Sequence, residues 1–273
     1  MIRCFYLRDG DVMGAVTFSI DQRLIQMLSK KLPMDVFVET GTFRGETVDL
    51  VKSQFREIYS VELSDSYYEA AKQRFSGDSH VQMIHEDSAV ALRNIIPNIK
   101  DRPTLFWLDA HWCVADQTAG QLSQCPLLAE LEAIQNLNQN SIIIIDDARL
   151  FLATPQKPHE VSDWPTFHSI IQALFKLSDQ HRISVVNDCI LFFPQSVEED
   201  VKQFAHLHGV DWLNTMMRSN QFEVSERERA ACLEEMYVLK SVLQKSILNR
   251  IVFKVLMKGK DKLAAFLNMR ARA

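Results

Sequence analysis

"VFVETGTFRG", residues 36–45, is a short apolar run that meets an acid, Glu39, and then breaks at two glycines, Gly41 and Gly45. An apolar run of this length ended by glycine reads as a buried strand, and the stretch behind it, "ETVDLVKSQF", reads as an amphipathic helix. Outward from here the same unit repeats. From about residue 35 to 147 the strands are "DVFVET", "EIYSVEL", "VQMIHED", "TLFWLDA" and "SIIIIDD", with helical stretches between them. Alternation of this kind is the signature of βαβ units around a parallel sheet. Each strand ends in an acid or runs directly into one. Ligands of an open parallel sheet bind outside the carboxyl ends of its strands, so acids are expected to line that rim.

The intervening helices are "ETVDLVKSQF", "SDSYYEAAKQRF" with Ser64 as N-cap, "SAVALRNII", and "CPLLAELEAIQNL" with Pro126 in its first turn. "SIDQRLIQMLSKKL" reads as a further helix covering the sheet before the first strand. A proline-rich polar loop, 148–165, precedes the helix "TFHSIIQALFKL"; then "RISVVND" and "CILFFP" follow back to back around Asn187 and Asp188, the composition of a tight hairpin. The expected fold is therefore α/β: a Rossmann-like doubly wound sheet, mostly parallel, with a terminal antiparallel hairpin and a C-terminal helical extension. Three regions result: an N-terminal segment with its covering helix (1–34), the sheet domain (35–195), and a helical extension (196–273).

In that extension Leu239, Leu243, Ile247, Ile251 and Val255 recur every four residues, with lysines and arginines over much of the other face. Such a stripe suits packing on the domain or on a second copy of the chain, and a homodimer is one expectation. The sharper reading is a basic amphipathic segment lying on an anionic membrane or a glycolipid. Residues 240–273 carry a local charge of +8, which leaves −13 on the remainder of a chain whose net charge is −5. An acidic body argues against nucleic acid as a partner.

The composition, 47% hydrophobic and 24% charged over 273 residues, is that of an ordinary globular chain able to bury a sizeable core. No stretch has an apolar run long enough to cross a bilayer, and the start "MIRCFYLRDGDVMGAV" lacks the pattern of a signal peptide, so the cytoplasm is the expected location. Cys4, Cys113, Cys125, Cys189 and Cys232 never form a CxxC pair, which points to reduced thiols rather than a disulfide framework or zinc knuckle.

A glycine turn between strand and helix usually holds a dinucleotide pyrophosphate. That fingerprint needs three glycines, and the carboxylate of Glu39 would repel phosphates; a ligand with a cationic end suits the turn better. "VETGTFRG" resembles the first motif of the class I S-adenosylmethionine-dependent methyltransferases, acid-x-Gly-x-x-x-Gly. "YSVELSD" is similar to the end of that family's second strand, where an acid, here Glu62, accepts from the ribose hydroxyls. "EDSAVAL" falls where the family contacts adenine, here Asp87 and Ser88. The resemblance implies S-adenosylmethionine as cofactor, held by Glu39, Thr40, Gly41, Thr42, Gly45, Glu62, Asp87, Ser88 and Asp109. It spans roughly residues 35–195, and the terminal hairpin agrees with that fold.

"FWLDAHWC" and "IIIIDDARLF" place Asp109, Asp146 and Asp147 at one rim, on neighbouring strands. Crowded carboxylates repel unless a cation joins them, and a hard divalent ion such as Mg2+ is the natural partner. The pattern resembles the metal-dependent O-methyltransferases of the catechol and macrolide-sugar types. The catechol type has a lysine base just after its tryptophan, where this chain has Cys113. The sugar type uses its strand-four aspartate, matched by Asp109. The resemblance thus implies a metal held by Asp109, Asp146 and Asp147, methyl transfer to a hydroxyl of a sugar or other vicinal diol, and Asp109 or His111 as proton acceptor. The loops "HWCVADQTAGQLSQC" and "ARLFLATPQKPHEVSDW" are expected to overhang the site, with Gln117, Gln121, Gln124, Trp112 and Trp164 facing a small-molecule or glycan acceptor. Competing readings are a metal-independent methyltransferase, a noncatalytic docking module and, more distantly, a nicotinamide oxidoreductase.

Overall fold

The computed structural model of the chain describes residues 20–111 and 123–243, and the chain divides into two compact units, 1–209 and 210–273. The first unit is built on a seven-stranded sheet. Its strands are β1 (Val36–Thr40), β2 (Glu57–Glu62), β3 (Val81–His85), β4 (Thr104–Leu108), β5 (Ile142–Ile145), β6 (His181–Val186) and β7 (Cys189–Pro194). The order is β3-β2-β1-β4-β5-β7-β6. The first five strands run parallel and β7 lies antiparallel between β5 and β6.

Helices cover both faces: α1 (Gln22–Ser29), α2 (Glu46–Val51), α3 (Asp65–Arg74), α4 (Ser88–Ile99), α5 (Leu127–Ile134), a short α6 (Arg149–Leu152), α7 (Phe167–Leu177) and α8 (Glu198–His208). The sheet alternation of side chains divides the core in two. Phe37, Trp107, Ile144 and Leu191 pack towards Leu24, Leu28 and Val48 of α1 and α2 and Phe204 of α8. Val38, Leu108, Ile145 and Phe192 pack towards Leu92, Leu131 and Ile170 of α4, α5 and α7. Because β1, β4 and β5 are covered on both sides, they read as continuous apolar runs rather than alternating ones.

The expected strands all form, and Asn187 and Asp188 make the turn of the β6–β7 hairpin, with Asn187 at φ 57°. Local signals differ in detail. Asp21 caps α1 through its carboxylate and Thr166 caps α7 through its hydroxyl, while Ser64 occupies the α3 cap without a side-chain bond. Pro126 stands at the cap of α5, one place before its first turn. Helix α4 continues to Ile99 through Pro97 in its last turn. The loop expected over 148–165 contains α6 and a 3-10 turn at Val161–Asp163. Among the described residues no strand follows β7, and α8 packs on α1 within the first unit. The second unit is described by one helix, α9 (Trp212–Leu243). Most of the basic stripe, and everything after residue 243, lies outside the described residues. No described helix is long and apolar enough to cross a membrane.

Candidate active site

The turn after β1 is shaped by two left-handed glycines, Gly41 at φ +83° and Gly45 at φ +76°, with Phe43 between them at φ 49°. Gly41 N–H and Thr42 N–H both donate to the carbonyl of Val61, at 2.9 and 3.2 Å, so the turn is tied to the end of β2. Glu62 completes that tie: its Oε2 accepts from Phe43 N–H at 2.8 Å and its Oε1 from Ser64 N–H at 2.7 Å. Each oxygen retains a lone pair, the requirement for receiving two ribose hydroxyls.

Glu39 is 1% exposed. Ser60 Oγ donates to its Oε2 at 2.5 Å, and Thr42 Oγ1 lies 2.6 Å from Ser60 Oγ, so hydroxyls rather than a cation surround it. Burial pushes its carboxyl up to about 8, against the lowering effect of Ser60 and Thr47. A buried carboxylate in this condition gains from an incoming cation. Thr40 faces the opposite side of the sheet, and its Oγ1 accepts from Asp109 N–H at 3.3 Å. Asp87 caps α4 by accepting from Val90 N–H at 3.1 Å, and Ser88, the first residue of that helix, is buried. The cofactor residues named from the sequence thus line the ends of β1, β2 and β3 and the start of α4, and Asp109 sits against Gly41. Glycine turn, free carboxylate lone pairs and uncompensated Glu39 fit a ligand with a ribose and an ammonium group.

At the ends of β4 and β5, Asp109, Asp146 and Asp147 come together with His111. The imidazole Nε2 lies 3.3 Å from Asp109 Oδ1 and 3.2 Å from Asp147 Oδ2. Burial opposes charge on His111, yet Asp147 and Asp109 outweigh it and hold its pKa up to about 9. Asp147, at φ 55°, takes a second cation: Arg149 Nη1 stands 2.5 Å from its Oδ1. Those two cations overcome burial and hold Asp147 down to about 2. Asp146 is pushed up to about 7 by burial and then by the charge of Asp147, although its Oδ1 accepts from Asp147 N–H at 2.8 Å. Asp109 is raised by its buried surroundings and by Asp146, but 32% of its side chain is exposed, so solvent moderates that push. It is the carboxylate of the cluster that opens outward.

Among the described residues, no group of three or more His, Cys, Asp or Glu side chains is arranged to hold a metal ion. The expectation of Mg2+ on Asp109, Asp146 and Asp147 therefore meets a donor set that does not fit it. Arg149 donates to one oxygen of Asp147, while the His111 imidazole stands 3.2 Å from the other without a hydrogen bond, so a cation of the chain itself already neutralises part of the charge that three aspartates gather.

Three residues of the site were not singled out by the sequence reading. Arg149 was available two places after Asp147. Asp188, read there only as a turn former, is 2% exposed, accepts from Arg149 N–H at 2.9 Å and pairs with its guanidinium. Glu130 is 1% exposed on α5 among Leu127, Leu131 and Ile134, and an acid on the apolar stripe of a helix is the signal that marks it. Burial raises its pKa, Ser88 and Thr40 lie against it, and its Oε1 has no hydrogen-bond partner among the described residues. Glu130 and His111 both line a small cavity with Cys125, Leu127 and Phe151.

Of the expected overhanging loops, Trp112, Cys113, Gln117 and Gln121 lie outside the described residues. Gln124 and Trp164 bond to each other, Trp164 Nε1 donating to Gln124 Oε1 at 3.1 Å. Trp164 is 7% exposed and packs against His111 and Phe151, which makes it a wall of the site rather than an open platform for a sugar.

No family model and no curated protein matches the chain. Among solved structures, it is similar to a SAM-dependent methyltransferase from Aquifex aeolicus, at 14% identity and TM-score 0.39 over 63% of this chain and 87% of that one. It is also similar to the N-methyltransferase NodS from Bradyrhizobium japonicum, at 11% identity and TM-score 0.38 over 63% and 92% of the two chains. A third similar structure is the spermidine synthase from Thermotoga maritima, at 14% identity and TM-score 0.40 over 62% of this chain and 56% of that one.

Proposed function

We propose that the chain is an S-adenosylmethionine-dependent methyltransferase acting on a hydroxyl group. The observation that carries this reading is Glu39: a fully buried carboxylate at the tip of β1, surrounded by hydroxyls only and raised to about 8, directly behind a left-handed glycine turn. An ammonium group favours the ionised form of this carboxyl and offsets the cost of burying it, whereas a phosphate would raise that cost further. Glu62, one strand over, presents its remaining lone pairs to a ribose.

Bound there, S-adenosylmethionine supplies a methyl group already activated on a sulfonium. The chain's own contribution is to place the acceptor oxygen and remove its proton. Asp109 is the group suited to that task. It opens to solvent, and its raised pKa makes it a stronger base than an ordinary aspartate. His111 is held protonated between two carboxylates and serves as a fixed positive charge beside Asp109, not as the acceptor of the proton. The resemblance to sugar and catechol O-methyltransferases supports a sugar or other vicinal diol as the substrate. It also implies a divalent ion, which the pairing of Asp147 with Arg149 does not fit.

The test is calorimetric titration of S-adenosylmethionine and S-adenosylhomocysteine into the protein, with and without Mg2+, alongside Glu62→Ala. Binding that is lost in the variant supports the reading and justifies a screen of diol acceptors. Failure to bind in every condition overturns it and leaves a docking module as the surviving alternative.

A further inference from the structure

Arg149 stands in a position that its sequence neighbours do not explain. It follows Asp147 at the start of α6, and its guanidinium bridges Asp147 to Asp188 in the turn of the β6–β7 hairpin. The backbone strengthens the same tie: Ala148 N–H donates to the Asp188 carbonyl at 2.7 Å and Arg149 N–H to its Oδ1 at 2.9 Å. The Asp188 side chain is 3% exposed, so the guanidinium cannot move away without leaving a buried carboxylate uncompensated.

The consequence falls on Asp147. One of its oxygens meets Arg149 and the other His111, while its own N–H is spent on Asp146. A hard divalent ion takes oxygen ligands, and here it would have to displace a guanidinium clamped from behind by Asp188.

We propose that Arg149 is the resident cation of this site: held by Asp188, its guanidinium occupies the charge-neutralising place beside Asp147 that a divalent ion would otherwise fill, and methyl transfer needs no metal. The last clause rests on the methyltransferase reading; the first is a property of the unliganded protein and is tested on it.

The experiment uses Mn2+ alone as the probe, followed by electron paramagnetic resonance on the full chain, with Arg149→Met, Arg149→Lys and Asp147→Asn for comparison. The wild-type chain and Arg149→Lys are expected to leave Mn2+ free. Arg149→Met, with Asp147 and Asp188 released, is expected to bind the ion at least about tenfold more tightly. Stoichiometric Mn2+ binding by the wild type that Asp147→Asn abolishes would overturn the proposal, as would a folded Arg149→Met that gains no affinity. Should Arg149→Met fail to fold, the wild-type and Asp147→Asn titrations still decide. S-adenosylmethionine is titrated into the same samples in EDTA: undiminished binding agrees with the proposal, binding only after Mg2+ is restored opposes it. Absence of cofactor binding in every condition counts against the methyltransferase reading while leaving the Mn2+ result standing.

Discussion

Gly41 and Asp109 touch through their backbones: a β-carbon on Gly41 would stand 2.3 Å from the Asp109 carbonyl oxygen and 2.8 Å from its carbonyl carbon. The turn proposed to hold the cofactor is thereby seated on the residue proposed to remove the proton. Gly41→Ala adds a clash with rigid backbone to the strain of φ +83°, so it is expected to destabilise the fold by about 2 kcal/mol or more. In a unit of this size that lowers the melting temperature by roughly 4–8 °C. Differential scanning calorimetry checks it. An unchanged melting temperature would mean that β1 and β4 can separate at their tips without cost.

Glu39 ties stability to pH. Its carboxyl has an ordinary value of 4.5 and is raised to about 8 in the folded chain. The folded state therefore holds this proton more tightly than the unfolded state does. Stability from this group is complete below about pH 4.5 and is lost as pH rises towards 8, by roughly 5 kcal/mol in all. In urea titrations Glu39→Gln is expected to remove most of that decline, so the wild-type and variant midpoints separate between pH 5 and pH 8. Saturating S-adenosylmethionine should narrow the gap at pH 8, because an ammonium group supports the ionised carboxylate. Parallel profiles for the two chains, with no divergence, would rule out an uncompensated Glu39.

The sheet was legible because its strands carry their own burial signal. "IIIID" is a strand covered on both faces, and the glycine turn after Glu39 tells where β1 stops. The rim was legible for the same reason, since acids that interrupt apolar runs lie at strand ends. What the sequence did not reveal is which charge answers which. Asp146 and Asp147 look alike in the sequence, yet one is raised to about 7 and the other lowered to about 2. The difference comes from Arg149 and His111, and Arg149 owes its position to Asp188, 39 residues further on. Proximity of that kind depends on β7 pairing with β5, a long-range fact that local patterning does not contain.

Asp109→Asn separates chemistry from binding. Its backbone N–H still donates to Thr40 and its carbonyl still meets Gly41, because neither involves the carboxylate. Cofactor affinity should therefore change little. Turnover on whichever acceptor the screen identifies should fall by about 10²–10⁴, the usual value of a positioned general base. Single-turnover transfer from labelled S-adenosylmethionine makes the measurement. A variant that turns over at the wild-type rate would move the proton-accepting role away from Asp109.

Asp188→Asn tests the clamp from behind. The Asp188 side chain is nearly closed to solvent, whereas Arg149 is 35% exposed, so the cost is set by the burial of the acid and reduced by the access of water to the base. Removing the charge leaves Arg149 with Asp147 alone on the acidic side and loosens the tie between α6 and the hairpin turn. A loss of about 2–3 kcal/mol is expected in urea unfolding, below the full figure for a wholly buried pair. Arg149→Met and the double variant close a thermodynamic cycle. If the two residues act through each other, the double variant is less destabilised than the sum of the singles by at least about 1 kcal/mol. Strict additivity would show that Asp188 stabilises the hairpin on its own account and does not hold the guanidinium in place.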